Sequence, residues 1–398
     1  MTVGTDERFV VISADCHAGA SMDTYGDYLE AKYQEAFGEW RAAYRNPFRD
    51  LQSESRTRNW DSERRIHDLE ADGQVAEVIF PNTVPPFFPT GALVARPPTA
   101  EDLERRWAGL RAHNRWLADW CRDESYRRAG IAQVFLNDVD AAVEEAKWVA
   151  QSGLKGGILI PSVPDDSDIE PLYSEVYDPL WRVCEEHGLV VNSHSGSGHP
   201  DYGDHAAASL VWAYETPWMA HRPLWHLIMS GVFERFPTLK FVLSEQGCAW
   251  VPSTLGGLDG LHMAAQFGRT GELKLGEVDL PLTPTEYFER NVWIGASFPM
   301  VKDAAAMRRI GLHKCMWGSD YPHHEGVSPY SREHLRRSFE GWSTDELDQV
   351  LNQTAADVYG FDVAALTPRA LEVGPTASEL AEPLDRIPKG ATSPAFYM

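Results

Sequence analysis

The chain has 398 residues, enough for one large barrel or two ordinary domains, and its 43% hydrophobic and 24% charged composition is that of a globular protein. Fifty-nine acids against 36 bases leave a formal charge of −23, which repels phosphate backbones and anionic lipid surfaces and excludes nucleic acid as an expected partner. The opening MTVGTDERF lacks the basic and apolar parts of a leader, and no apolar run approaches the ~20 residues that cross a bilayer, so the expectation is a cytoplasmic protein without a membrane partner.

In chain order, the first predicted strand is FVVISAD (9–15), whose polar tip continues into Cys16 and His17. Residues 18–60 form a long, Arg- and aromatic-rich connection, and a loop of that length inside a compact domain is expected to be an insertion capping the site. The helix DSERRIHDLEADG leads to a strand at 75–80, a helix at 101–125 and a strand at 129–135. A helix at 137–153 opens on Asn/Asp caps and closes on Gly153. Further strands are expected at 156–161, 189–194, 239–245, 291–297 and 314–320, with helices at 171–187, 217–236 and 302–310. This alternation predicts an α/β fold, a (β/α)8 TIM barrel over residues 1–364, and no GxGxxG follows the first strand to favour an open doubly wound sheet. Residues 365–398 carry five prolines and read as an extended C-terminal arm, either wrapping a neighbouring subunit or forming a tail.

The five scattered cysteines contain no CxxC pair and read as reduced, buried thiols. The chemistry-bearing residues cluster differently. Asp15 and His17 follow the first strand, His194 ends the fifth, Glu245 the sixth and Asp320 the eighth. In a (β/α)8 barrel these carboxyl ends share one rim. Three carboxylates and two imidazoles meeting there without Lys or Arg partners repel one another, and a bound divalent metal removes that repulsion.

On the run of VISADCH, VNSHSGSG, SGVFERFPTLKFVLSEQGCAWVP, MWGSDYPHHEG and LNQTAADVYGFD the chain resembles the amidohydrolase superfamily, in particular its amidohydrolase-related branch of metal-dependent TIM barrels, which includes hydrolases and decarboxylases. The resemblance implies metal ligands at Asp15, His17, His194 and Asp320. The chain departs from the family in having Asp15-Cys16-His17 for His-x-His, Glu245 where a histidine is common, and no lysine ending the fourth strand. Hard oxygen ligands suit iron or manganese at least as well as zinc, and carboxylates readily bridge a metal pair. The chain also resembles barrel members recruited in platensimycin/platencin-type diterpenoid antibiotic biosynthesis as non-haem di-iron monooxygenases. That resemblance implies two irons held by Asp15, His17, His194, Glu245 and Asp320, dioxygen as co-substrate, an electron donor, and hydroxylation of a bulky apolar acid.

The alternative expectation is a zinc- or manganese-dependent hydrolase or decarboxylase of a small carboxylic or aromatic acid, in which the family resemblance implies that Asp320 takes a proton from metal-bound water. A metal-stabilised binding protein without turnover is the third reading. In either enzyme Asp320, His323 and His324 are the candidate catalytic residues. Trp212, Trp218 and Trp250 are candidate flat walls for substrate, and Arg45, with Arg41 and Arg49, a candidate grip for its carboxylate. His199, His205, His221 and His226 read as loop or packing histidines, and a homodimer or higher homo-oligomer is expected.

Overall fold

The computed structural model describes residues 7–45, 54–276 and 278–397. Among these, eight parallel strands follow one another round a (β/α)8 barrel: β1 (Ile12–Ala18), β2 (Ala76–Pro81), β3 (Arg128–Gly130, resuming beyond Ile131 as Ala132–Gln133), β4 (Ile158–Leu159), β5 (Val190–His194), β6 (Lys240–Ser244), β7 (Val292–Ser297) and β8 (Cys315–Gly318). Each strand pairs in parallel with the next in sequence from β1 to β8. β1 is buried along its whole length, as expected of a strand with the barrel interior on one side and helices on the other.

The ring closes between β8 and β1 at the rim itself. The Asp320 N–H donates to the Asp15 carbonyl at 2.9 Å, and the His17 N–H donates to the Tyr321 carbonyl at 2.7 Å. Gly318 permits this approach, because a Cβ there would stand 2.7 Å from the Asp15 Cβ. β1 also carries a bulge: its register against β2 shifts between Ser13 and Cys16. A bulge inserts one unpaired residue and re-aims the side chains beside it, here Asp15.

The observed boundaries differ from the expected ones where the site is. β1 runs three residues beyond the expected 15, so His17 lies within the strand and the polar tip is part of the sheet. β8 stops at Gly318, two residues short of expectation, because Asp320 takes a left-handed conformation (φ 60°) that no strand continues through. The helix expected at 217–236 runs from Ala208 to Met229 with Pro217 and Pro223 inside it. Ala213, whose carbonyl loses its partner to Pro217, is exposed to water.

The connection 18–60 has structure of its own, including helices Met22–Asp27 and Gln34–Ala43. Phe37 packs edge-on to Phe87, and the Tyr25 hydroxyl meets Thr83 Oγ1 and His113 Nδ1, each at 2.8 Å. The described residues of this connection therefore pack against the segment after β2 and against helix Leu103–Arg122, and none lines the cavities described below. The C-terminal segment differs from a purely extended arm: it begins within helix Val363–Val373 and then returns to its own barrel. There Phe396 is buried, and the Thr392 hydroxyl donates to the His324 carbonyl at 2.9 Å.

Beneath the tip of β1 lies a charged core. Arg65 is fully buried, donating from Nη2 to Glu77 Oε2 at 2.6 Å and from Nη1 to the His17 carbonyl at 2.7 Å. Burial pushes the Glu77 carboxyl up, but Arg65 and then Arg128 hold it below the ordinary carboxylate range. Glu77→Ala leaves two buried guanidinium groups without their counter-charge. It is expected to lower unfolding free energy by about 3–5 kcal/mol, read from denaturant melts.

Candidate metal centre

Five side chains from four parts of the barrel meet at the rim. Asp15 and His17 project from β1, His194 from the last position of β5, Glu245 from one residue beyond β6 and Asp320 from two residues beyond β8. Asp15, His17, His194 and Glu245 each offer a ligand atom within 4.8 Å of the others. His17 Nε2 lies 3.3 Å from Asp15 Oδ1 and 3.1 Å from Asp320 Oδ1. His194 Nε2 lies 3.5 Å from Asp15 Oδ1 and 3.2 Å from Glu245 Oε2.

Those short distances are not hydrogen bonds. Asp15 Oδ1, His17 Nε2, His194 Nε2 and both Asp320 oxygens are buried polar atoms with no hydrogen-bond partner. Each imidazole is anchored from its other side: His194 Nδ1 donates to the Ser195 carbonyl at 2.8 Å, and His17 Nδ1 sits 3.3 Å from the Pro81 carbonyl. A donor hydrogen at Nδ1 leaves the Nε2 lone pair aimed at carboxylate oxygens, an arrangement that costs several kcal/mol unless a cation lies between. The donor set of two imidazoles and carboxylate oxygens therefore fits a divalent metal, with manganese, iron and zinc all compatible on chemistry alone.

Burial would raise the Asp15 carboxyl, yet His194 and His17 hold it well below its usual value. Glu245 goes the other way, pushed up by burial and by repulsion from Asp320 and Asp15, although His194 counteracts in part. Burial opposes charge on His323, but Asp320 at 2.7 Å from its Nδ1 raises it to about 10. Glu245 (φ 54°) and Asp320 (φ 60°) both hold left-handed backbone, a strain that clusters at functional sites.

A cavity of about 340 Å³ opens beside this centre, lined by Asn82, Leu93, Val94, Trp212, Thr216, Glu245, His323 and His324 among others. His323 stacks on His17 with ring centroids 4.0 Å apart and meets Asn82 Oδ1 through Nε2 at 3.1 Å; His324 is exposed at the mouth. Trp250 lines an adjoining cavity together with Trp212.

Other candidates stand elsewhere. Trp218 is 53% exposed and faces Trp225 rather than either cavity. Arg45 is exposed, donates to the carbonyls of Ala42 and Tyr44 at the end of its own helix, and lines neither cavity. Arg41 pairs with Asp23, and Arg49 lies outside the described residues. His221 stacks on Trp250 and His199 on Tyr202, His226 meets Tyr173 edge-on, and exposed His205 accepts from the Ala207 N–H. Cys16 packs with Leu69 and Tyr321, away from the centre.

Sequence reasoning missed three residues. Ser297, the last of β7, donates its hydroxyl to Asp15 Oδ2 and so turns Oδ1 toward the imidazoles. Its place at a strand's carboxyl end was the available signal. Asn82 holds His323, and Glu325 joins Glu245, Asp320 and His323 in a second potential ligand group.

An amidohydrolase family model matches residues 15–361. Among curated relatives, 2-amino-3-carboxymuconate-6-semialdehyde decarboxylase of Dictyostelium discoideum is 24% identical over 326 residues, covering 79% of this chain and 80% of that protein. A γ-resorcylate decarboxylase of Rhodococcus jostii is 25% identical over 267 residues, covering 63% and 75%. The solved structure of 5-carboxyvanillate decarboxylase from Novosphingobium aromaticivorans, with bound manganese, superposes at a TM-score of 0.67 with 20% identity, covering 90% and 99%. The two curated relatives are decarboxylases, which corrects the expectation of a di-iron monooxygenase in antibiotic biosynthesis and, with it, of iron, dioxygen and an electron donor. The carboxylate-rich ligand set behind that expectation discriminates poorly, because hard oxygen donors suit manganese as well as iron. A match that begins at Asp15 in the rim and ends beyond the last barrel strand makes this chain a member of the amidohydrolase family.

Proposed function

We propose that this chain is a divalent-cation-dependent decarboxylase of an aromatic acid. The observation that carries the reading is the set of buried, unpartnered ligand atoms beside a 340 Å³ cavity that Glu245, His323 and Trp212 line, and decarboxylase relatives support it. Asp15, His17, His194 and Glu245 would hold the ion. When bound, a divalent cation supplies Lewis-acid charge that anchors the oxygens of an acid and stabilises electron density on its ring.

The protein's own groups do the rest. Trp212, Leu93 and Val94 line the cavity, apolar walls that suit a planar ring and exclude water from it. In decarboxylation the bond from ring carbon to carboxylate breaks, its electron pair stays on the ring carbon, and that carbon takes a proton as carbon dioxide leaves. His323 lines the cavity, and the Asp320 carboxylate 2.7 Å from its Nδ1 favours its protonated form. Asn82 Oδ1 holds its Nε2 at 3.1 Å, and Asp320 Oδ1 lies 2.7 Å from Nδ1 as a counter-charge, so the pair keeps a proton at the cavity for delivery. The loop after β8 leaves His324 at the mouth, where it meets entering substrate.

Two expected outcomes test this reading. Asp320→Asn, which keeps the size of the side chain but removes its charge, should lower kcat for decarboxylation of a 2,6-dihydroxybenzoate-type acid by about 10²–10⁴-fold. His194→Ala should lose bound manganese by elemental analysis while the parent chain holds one ion. Two ions per chain in the parent would mean that Asp320 and His323 are taken up as ligands with Glu325, as the expectation of a metal pair required, and would remove their role as proton carriers.

A further inference from the structure

The 340 Å³ cavity is not the whole cleft. A second lobe of about 530 Å³ adjoins it, and the two share Ser195, Trp212, Thr216, Glu245 and Glu325 as a common wall. A single-ring acid is accommodated by the first lobe alone, whose volume is at the low end for small-molecule pockets. The second lobe therefore calls for an occupant of its own.

Its far wall is apolar and rigid. Trp250 donates its indole N–H to the carbonyls of Gln246 and Gly247, at 3.1 and 3.2 Å, and one of its two faces is covered by the His221 ring at 3.7 Å and 19°. Phe298 holds a left-handed backbone (φ 34°), uncommon for a bulky residue, directly after the strand that ends in Ser297. Met300 completes the wall. At the edge stands Lys302, on helix Val301–Ile310; its side chain is exposed and makes no ion pair with any described residue. Its neighbour Asp303 is fully engaged, accepting from the N–H groups of Cys248 and Ala249 at 2.9 Å each. The lobe's carboxylates, Glu245 and Glu325 on the shared wall and Asp303 in the first turn of the same helix, leave Lys302 as the single cationic side chain among its lining residues and the one place there for a negative group.

We infer that the substrate is an aromatic acid bearing a second apolar group of ring size that lies between Trp250, Phe298 and Met300 and ends in an anionic group at Lys302. The inference rests on the decarboxylase reading for the first ring only. It makes Trp250 and Lys302 specificity-determining: the indole supplies a flat face for the second ring, and the ammonium discriminates acid-tailed from neutral-tailed substrates by charge.

The test uses the full, manganese-loaded chain and two non-reacting probes, 2-nitroresorcinol and 2-nitroresorcinol carrying a 4-carboxyphenyl group at carbon 5. Binding is read by quenching of tryptophan fluorescence. The two-ring probe is expected to bind at least tenfold more tightly than the single-ring probe. Lys302→Gln should weaken the two-ring probe at least threefold relative to the single-ring probe, and Met300→Trp, which fills the lobe, should bring the ratio of the two affinities toward one. Equal affinities in the parent chain, or a ratio that neither substitution changes, overturns the inference. Release of carbon dioxide from 2,6-dihydroxybenzoate and from its 4-(4-carboxyphenyl) derivative is measured in parallel. Turnover without probe discrimination overturns the second-lobe assignment alone, and discrimination without turnover of either ring system upholds the lobe while removing the decarboxylase reading.

Discussion

The structure depends on one constraint: the barrel closes at the same place where its charges meet. The seam between β8 and β1 is made by backbone hydrogen bonds at Asp15, His17, Asp320 and Tyr321, and not by a long ladder. Those bonds bring the first and last strands together regardless of what their side chains carry. The side chains carry two carboxylates and an imidazole, all fully buried. Closure of the fold therefore forces like-charged groups into one volume, and the fold is compatible with that only if their unpartnered atoms face something positive.

The surroundings are arranged to tolerate this. Ser297 takes one oxygen of Asp15, the Ser195 and Pro81 carbonyls take one nitrogen of each imidazole, and Arg65 takes the carbonyl of His17 from below. Each anchor uses up one bonding capacity of a rim group and leaves the other directed inward, which is how a surrounding shell orients ligands. Left-handed backbone at Glu245 and Asp320 is a local cost of about 1–3 kcal/mol apiece, held in place by the strands on either side. Glycine at 318 is required for a different reason, since any side chain would strike Asp15.

Function divides along the same line. The buried half of the site is rigid and set by strands, whereas the cavity walls come from connecting segments: Leu93 and Val94 after β2, Trp212 and Trp250 after β5 and β6, Phe298 and Met300 after β7, His323 and His324 after β8. Barrels of this kind vary chemistry and substrate through such loops while the frame persists. The C-terminal segment contributes to that wall indirectly, because Thr392 holds the carbonyl of His324.

The sequence by itself determined the barrel and most of the rim. Alternating β-branched runs and capped helices are local patterns, and Asp15, His17, His194, Glu245 and Asp320 each stand at a strand's carboxyl end, where the fold class alone predicts convergence. Tertiary structure decided what local patterns do not encode. The bulge in β1 and the left-handed turn at Asp320 arise from pairing across the seam. The roles of Ser297 and Asn82 depend on partners 282 and 241 residues away in the chain. Arg45 and Trp218 carry suitable chemistry but point elsewhere, because side-chain direction on a long connection or a surface helix is set by what it packs against, and that information lies in other segments of the chain.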